Sequence, residues 1–278
     1  MRKTRKREGP RKAIFHEGGF GPDIDSPADD LVSEAWDAET AAQRVKLARK
    51  AIDVDLDALD AYNILGIHAA THGERIALFR EAVRIGDRLF ATVIAQSAGD
   101  EEGLWGFLGM RPWMRAQHNL GLALVQAGDR PEAIDVFKRL KGFNPGDNQG
   151  IRMLLLQMAA EDGDYGTCKV LFADYPDDWS IEFIATRLLV DIATRRKIDF
   201  AAHVAAIDEC NAHVLPALAI AARGGAWPRP PKSDFVAAGS KEAAAIYLDA
   251  FKAAWTRQPK LLETFLQAHE ARTPENRA

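Results

Sequence analysis

The chain has 278 residues, 47% of them hydrophobic and 27% charged, with a formal net charge of -4. That length can bury a sizeable core in one elongated domain or two small ones, and so small a net charge does not mark a nucleic-acid binder. Two cysteines, Cys168 and Cys210, leave no disulfide framework and no Cys-based zinc pattern, and no apolar run approaches the ~18 residues of a membrane span.

Residues 1–12 carry Arg2, Lys3, Arg5, Lys6, Arg7, Arg11 and Lys12 against one acid, Glu8. They lack the ~7–15-residue apolar segment of a secretory signal, so the cytoplasm is the expected compartment. Residues 1–30 are expected to form a basic, disordered arm. Thr40 to Ile52 reads as a lone helix. The run from Ala61 to Gly66 starts another, Gly73 is read as its turn, and Phe79 to Gly86 lie on a return helix. Arg88 to Arg111 interrupts the pattern with a lengthened helix and then a Gly-rich loop.

From Met114 to Ala127 apolar residues recur at helical spacing, with Leu120, Leu124 and Ala127 on a broad face. Gly128-Asp129 breaks the run, and Pro131 suits the first turn of a second helix. Ala133, Ile134, Phe137 and Leu140 continue at three- and four-residue steps until Asn144-Pro145, where the residue before proline is pushed out of helical conformation. The unit from Met114 to Asp147 is a helical hairpin of the tetratricopeptide length, ~34 residues. Gly121 and Ala133 are expected at the closest helix approach, with Phe137 filling the space beside them. These positions are packing rules; none is a reactive group.

A second copy runs from Asn148 to Pro176. Gly163 takes the place of Gly128, Cys168 that of Ala133 and Phe172 that of Phe137, which makes Cys168 a small core residue. The segments "WSIEFIATRLLVDIATRRK" and "FAAHVAAIDEC" form one more hairpin. The stretch from Gly224 to Ser240 contains Pro228, Pro230 and Pro231 and cannot be helix. Ser240 is a good N-cap for a closing helix from Lys241 to Arg257. Pro259 separates that helix from a last short one ending near Ala271. The expected architecture is all-α: a right-handed tetratricopeptide-like solenoid over residues 31–213, then a C-terminal region over 214–278 with a proline-rich loop and capping helices.

The block from Arg111 to Ala116, "RPWMRA", precedes the central repeat, and the block from Gly146 to Arg152, "GDNQGIR", follows it. With "YPDDWS" and "AAGSKEAAAIYLDAFKAAW" further on, the chain resembles bacterial tetratricopeptide proteins related to the suppressor of tumorigenicity family. The likeness covers roughly residues 38 to 267, with Gly146 a departure. It implies the fold and carries no biochemical activity with it.

In a solenoid the first helix of each hairpin lines the inner surface. The candidate groove positions are Arg115, His118, Asn119, Gln126, Gln149 and Arg152, with Asn63, Ile67, Leu122 and Met153 beside them. Guanidinium forks match carboxylates, so Arg115 and Arg152 suit an acidic or C-terminal peptide. An equally open reading has both arginines bonded within the protein, to loop carbonyls. The Lys-and-Asn clamp that related cochaperones use is matched only by Asn119. His68 and His72, four apart, are expected to share a helix face, but no third metal ligand accompanies them. No nucleophile elbow, phosphate loop or dinucleotide fingerprint occurs, so neither an enzyme nor a cofactor or metal is expected. The expected role is a non-catalytic protein- or peptide-binding scaffold. The alternative is a nucleic-acid-associated protein that docks through its basic arm, whose binding salt would weaken.

Overall fold

The computed structural model describes residues 14–15, 22–23, 26–96, 103–195, 197–233 and 235–271. The chain divides into two compact units, Met1–Ile151 and Arg152–Ala278. This division by compactness differs from the division by repeats drawn above. The basic residues from Arg2 to Lys12 lie outside the described residues.

In the first unit a minimal antiparallel pairing joins β1 (Ile14–Phe15) to β2 (Pro22–Asp23), with Ile14 opposite Asp23. The rest is helical. The helix α1 (Asp29–Asp37) packs on α2 (Ala41–Val54), which is therefore not a lone helix. Their shared core is built largely of alanines, Ala28, Ala35, Ala48, Ala51, Ala58 and Ala61, closed by Ile64. Side chains this small let backbones approach closely. Thr40 and Gln43 start α2 with a reciprocal cap, each side chain bonded to the other's backbone N–H.

Two hairpins follow, α3 (Leu59–Ile67) with α4 (His72–Leu89), and α6 (Arg111–Ala127) with α7 (Arg130–Phe143). They stack, α6 packing on both α3 and α4. Between them lie the short α5 (Ala91–Gln96), a 3-10 turn at Leu108–Met110, and the break at Phe90. Gly128 ends α6 in the left-handed region at φ 85°, and Asp129 at once begins α7 by accepting from the Glu132 N–H. One Gly-Asp pair thus stops one helix and starts the next.

A Cβ built at Gly121 would press into the Phe137 ring, 2.6 Å from Cζ. The contact expected from the sequence is therefore present, and it recurs: a Cβ at Gly66 would lie 2.5 Å from Phe79. Gly86 faces Trp113 in the same way between the two hairpins.

The turn between α3 and α4 differs from expectation. Gly73 is inside α4, and the helix starts at Thr71, whose hydroxyl accepts from the Glu74 N–H. The Glu74 carboxylate accepts in return from Ala70 N. His68 caps the end of α3 while His72 opens α4, so the two histidines share no helix. A threonine cap outweighs the helix-breaking tendency of a glycine in the first turn.

The second unit is reached through α8 (Ile151–Asp162), whose first residue ends the first unit. Gly163 at φ 72° and Asp164, which accepts from Thr167 N, repeat the Gly-Asp turn before α9 (Tyr165–Asp174). The helices α10 (Ile181–Thr194) and α11 (Phe200–Asn211) pair as expected. The helix α12 (Val214–Ala222) lies inside the C-terminal region, ahead of the proline-rich loop. Ser240 caps α13 (Lys241–Ala250) through the Ala243 N–H. The expected single closing helix is interrupted at Phe251 before α14 (Lys252–Thr256), and α15 (Pro259–Glu270) completes the unit.

Aromatic residues spaced four apart hold this end together. Tyr247 stacks on Phe251 at 4.9 Å between centroids, and Trp255 Nε1 donates to the buried Tyr247 hydroxyl at 3.1 Å. Phe265 packs edge-on against Trp255. Among the described residues no single helix is long and apolar enough to cross a membrane; α11 and α12 reach that length and composition only together, across a 116° bend.

Candidate functional site

The two faces of α6 differ sharply. Trp113, Met114, Ala116, Gln117, Leu120, Gly121, Ala123 and Leu124 are buried. Arg115, His118, Asn119, Leu122, Val125 and Gln126 are half-buried or exposed. Their spacing of three, four, seven, ten and eleven residues makes them one stripe along the helix. Four of the six groove residues expected from the sequence lie in this stripe. Beside α6, the end of α3 exposes Ile67.

Arg115 is committed within the protein. Its Nη1 donates to both carboxylate oxygens of Asp60 at 2.7 Å, and its guanidinium lies 5.0 Å from the centre of the Trp36 ring. Asp60 also accepts from Trp36 Nε1 and from Asn63 Nδ2, each at 2.8 Å. One carboxylate thus joins α1, α3 and α6. The partner of the arginine is a carboxylate rather than the loop carbonyl considered above.

His118 leans on the Phe137 ring, 6.4 Å between centroids. Burial outweighs the pull of Asp147 and holds its imidazole below the ordinary range, so it is neutral at pH 7. Asn119 Nδ2 and Gln149 Oε1 are buried with no partner among the described residues, whereas Gln149 Nε2 donates to Met114 O at 3.4 Å. Gln126 is exposed and accepts from Arg75 Nη1 at 2.9 Å.

No family model matches this chain, and no curated protein or solved structure does so either.

In the second unit Arg152 Nε donates to Asp178 at 2.6 Å, and the guanidinium lies over the Tyr175 ring. Asp178 also accepts from the Ser180 N–H. Burial resists its ionisation, but the bonds from Ser180 and Arg152 prevail and hold the carboxyl below the usual range. Glu182, a turn further on, behaves oppositely: burial first, and then Asp178, push its carboxyl up. Met153 Sδ accepts weakly from the Ser180 hydroxyl.

Both arginines therefore follow one rule, a guanidinium between an aspartate and an aromatic ring. Neither Asp60 nor Trp36 carries a local sequence signal for this role, because they lie 55 and 79 residues before Arg115. The same holds for Arg75 at the stripe's far end. Among the described residues no group of three or more His, Cys, Asp or Glu side chains is placed to hold a metal ion. A cleft of about 550 Å³ in the first unit is open and lined by Glu34, Asp37 and Glu39 together with Lys46 and Lys50.

Proposed function

We propose that this protein is a non-catalytic scaffold of tetratricopeptide-like hairpins, akin to the bacterial relatives of the suppressor of tumorigenicity family. It binds a protein or peptide segment along the accessible stripe of α6 and the neighbouring end of α3. The observation that carries the reading is the stripe itself. On a helix packed so closely on its other side, the accessible residues mix apolar Leu122 and Val125 with the amide of Gln126. Helix-lined grooves of this composition take peptides by burying apolar anchors and bonding to backbone amides.

Because Arg115 and Arg152 pair with Asp60 and Asp178, they support the architecture rather than capture of a partner's carboxylate. The decisive substitution is therefore Leu122→Asp. Peptides from an immobilised array of dodecamers of varied composition should bind the wild-type protein. They should lose at least about tenfold in affinity on Leu122→Asp, the scale of placing a charge in an apolar contact, with the melting temperature unchanged. An array with no binder, or binders indifferent to Leu122→Asp, overturns the reading.

A further inference from the structure

The stripe has two unlike ends. At its start, Arg115 is neutralised by Asp60 and covered by Trp36. At its other end Val125 is 38% exposed and Gln126 lies open, and on the neighbouring α3 the last residue, Ile67, is 42% exposed. Arg75, in the first turn of α4, reaches this end. Its Nη1 donates to Gln126 Oε1 at 2.9 Å and its Nη2 to the Ala69 carbonyl at 3.3 Å. Both acceptors are uncharged. The nearest acid in sequence, Glu74, turns its carboxylate to the Ala70 N–H at the start of α4. A guanidinium has more N–H donors than Arg75 spends here, set in a plane that fits a carboxylate. The contrast with Arg80, paired with Glu132, and with Arg115 is direct.

Resting on the binding reading above, we propose that Arg75 receives a carboxylate from the bound segment. The partner is then an apolar stretch carrying one Asp or Glu side chain where it passes the end of α6. Charge complementarity makes the choice: the accessible apolar side chains Leu122 and Val125 on α6 and Ile67 at the end of α3 are followed by a cation that has no carboxylate partner among the described residues. A passing side chain is preferred to a chain terminus as the source, because Val125 and Gln126 are exposed at this end and leave the segment free to continue. The neutral imidazole of His118 adds no charge along the way.

The test uses the full chain and a C-terminally amidated apolar dodecamer chosen for binding that Leu122→Asp abolishes. Versions with Glu and with Gln at the position facing Arg75 are compared by fluorescence anisotropy against wild type and Arg75→Gln. The Glu peptide should bind wild type roughly two- to fivefold more tightly, the range for a partly exposed ion pair. That preference should vanish in Arg75→Gln and shrink as salt is raised. Equal affinities for wild type, or a preference that survives Arg75→Gln, overturn the assignment while leaving the stripe as a binding face. A Gln peptide strengthened only by a free C-terminal acid moves the carboxylate to a chain end and overturns the side-chain source. If no peptide senses Leu122→Asp, the stripe reading itself falls, and this inference with it.

Discussion

Replacing Gly121 with alanine adds a single carbon where the structure has none to spare. The new Cβ would press into the Phe137 ring, 2.6 Å from Cζ, and that ring is fully buried. Overpacking of this kind costs about 1–3 kcal/mol. Alanine is also the better helix former, which stabilises by about 0.8–1 kcal/mol. The net change expected is a loss of about 0–2 kcal/mol. Gly73→Ala separates the two effects, since it lies in the exposed first turn of α4 with nothing within 4 Å of a built Cβ. That variant should be stabilised by about 0.4–1 kcal/mol. Urea titrations followed by circular dichroism should therefore give the two variants unfolding free energies about 1–3 kcal/mol apart at unchanged slope. Hydrogen exchange over residues 111–143 should show the loss in α6 and α7. Phe137→Leu should then cost less in the Gly121→Ala background than in wild type, because it removes the obstacle. If both glycine variants gain equally, the ring yields freely and the close approach sets nothing.

Two neighbouring carboxyls in the second unit should respond to pH with opposite sign. Asp178 sits below its unfolded value of ~3.9, so its contribution is complete above that pH and disappears as the pH falls through the folded value. Asp178→Asn should cost about 1–3 kcal/mol at pH 7 and progressively less as the pH falls below the unfolded value, and a cost that does not fall would refute the pairing. Glu182 sits above its unfolded value of ~4.3, so its ionisation opposes folding at neutral pH; Glu182→Gln should raise stability at pH 7 and change little near pH 3. Burial pushes the Cys168 thiol up to about 12, while Cys210 is raised by burial and then by Glu182 but is partly accessible. A disulfide reagent should therefore label Cys210 in the native protein and Cys168 only once denaturant is added; prompt labelling of both would contradict the packing of α9.

Much of the helical layout is legible from local rules. Gly128, Pro131 and Asn144-Pro145 punctuate the central hairpin where steric and hydrogen-bonding constraints place them, and the Gly121–Phe137 contact follows from residue size alone. Local rules failed where two competed. Gly73 reads as a breaker, yet Thr71 and Glu74, spaced as a capping pair, begin the helix there. The break at Phe251 has no glycine or proline to announce it and accompanies the stacking of Tyr247 on that ring. At the candidate site, spacing alone puts Arg115, His118, Asn119 and Gln126 on one accessible stripe. What each does there depends on residues distant in sequence. Asp60 and Trp36 hold Arg115 within the protein, and Arg75, which reaches the far end of the stripe, comes from another helix.

Three glycine–aromatic contacts among the described residues of the first unit, Gly66 with Phe79, Gly121 with Phe137 and Gly86 with Trp113, act as rigid spacers. Each exchanges helix propensity for a fixed distance between backbones, because a flat ring against bare backbone leaves neither helix room to slide or roll. The surface formed by α3 and α6 is accordingly set before any partner arrives. Under the proposed function, a segment docking there would meet a finished template, and the ordering entropy of association would fall on the segment rather than on the scaffold. Binding should therefore carry the negative heat-capacity change of apolar burial without the larger change that refolding of the scaffold would add.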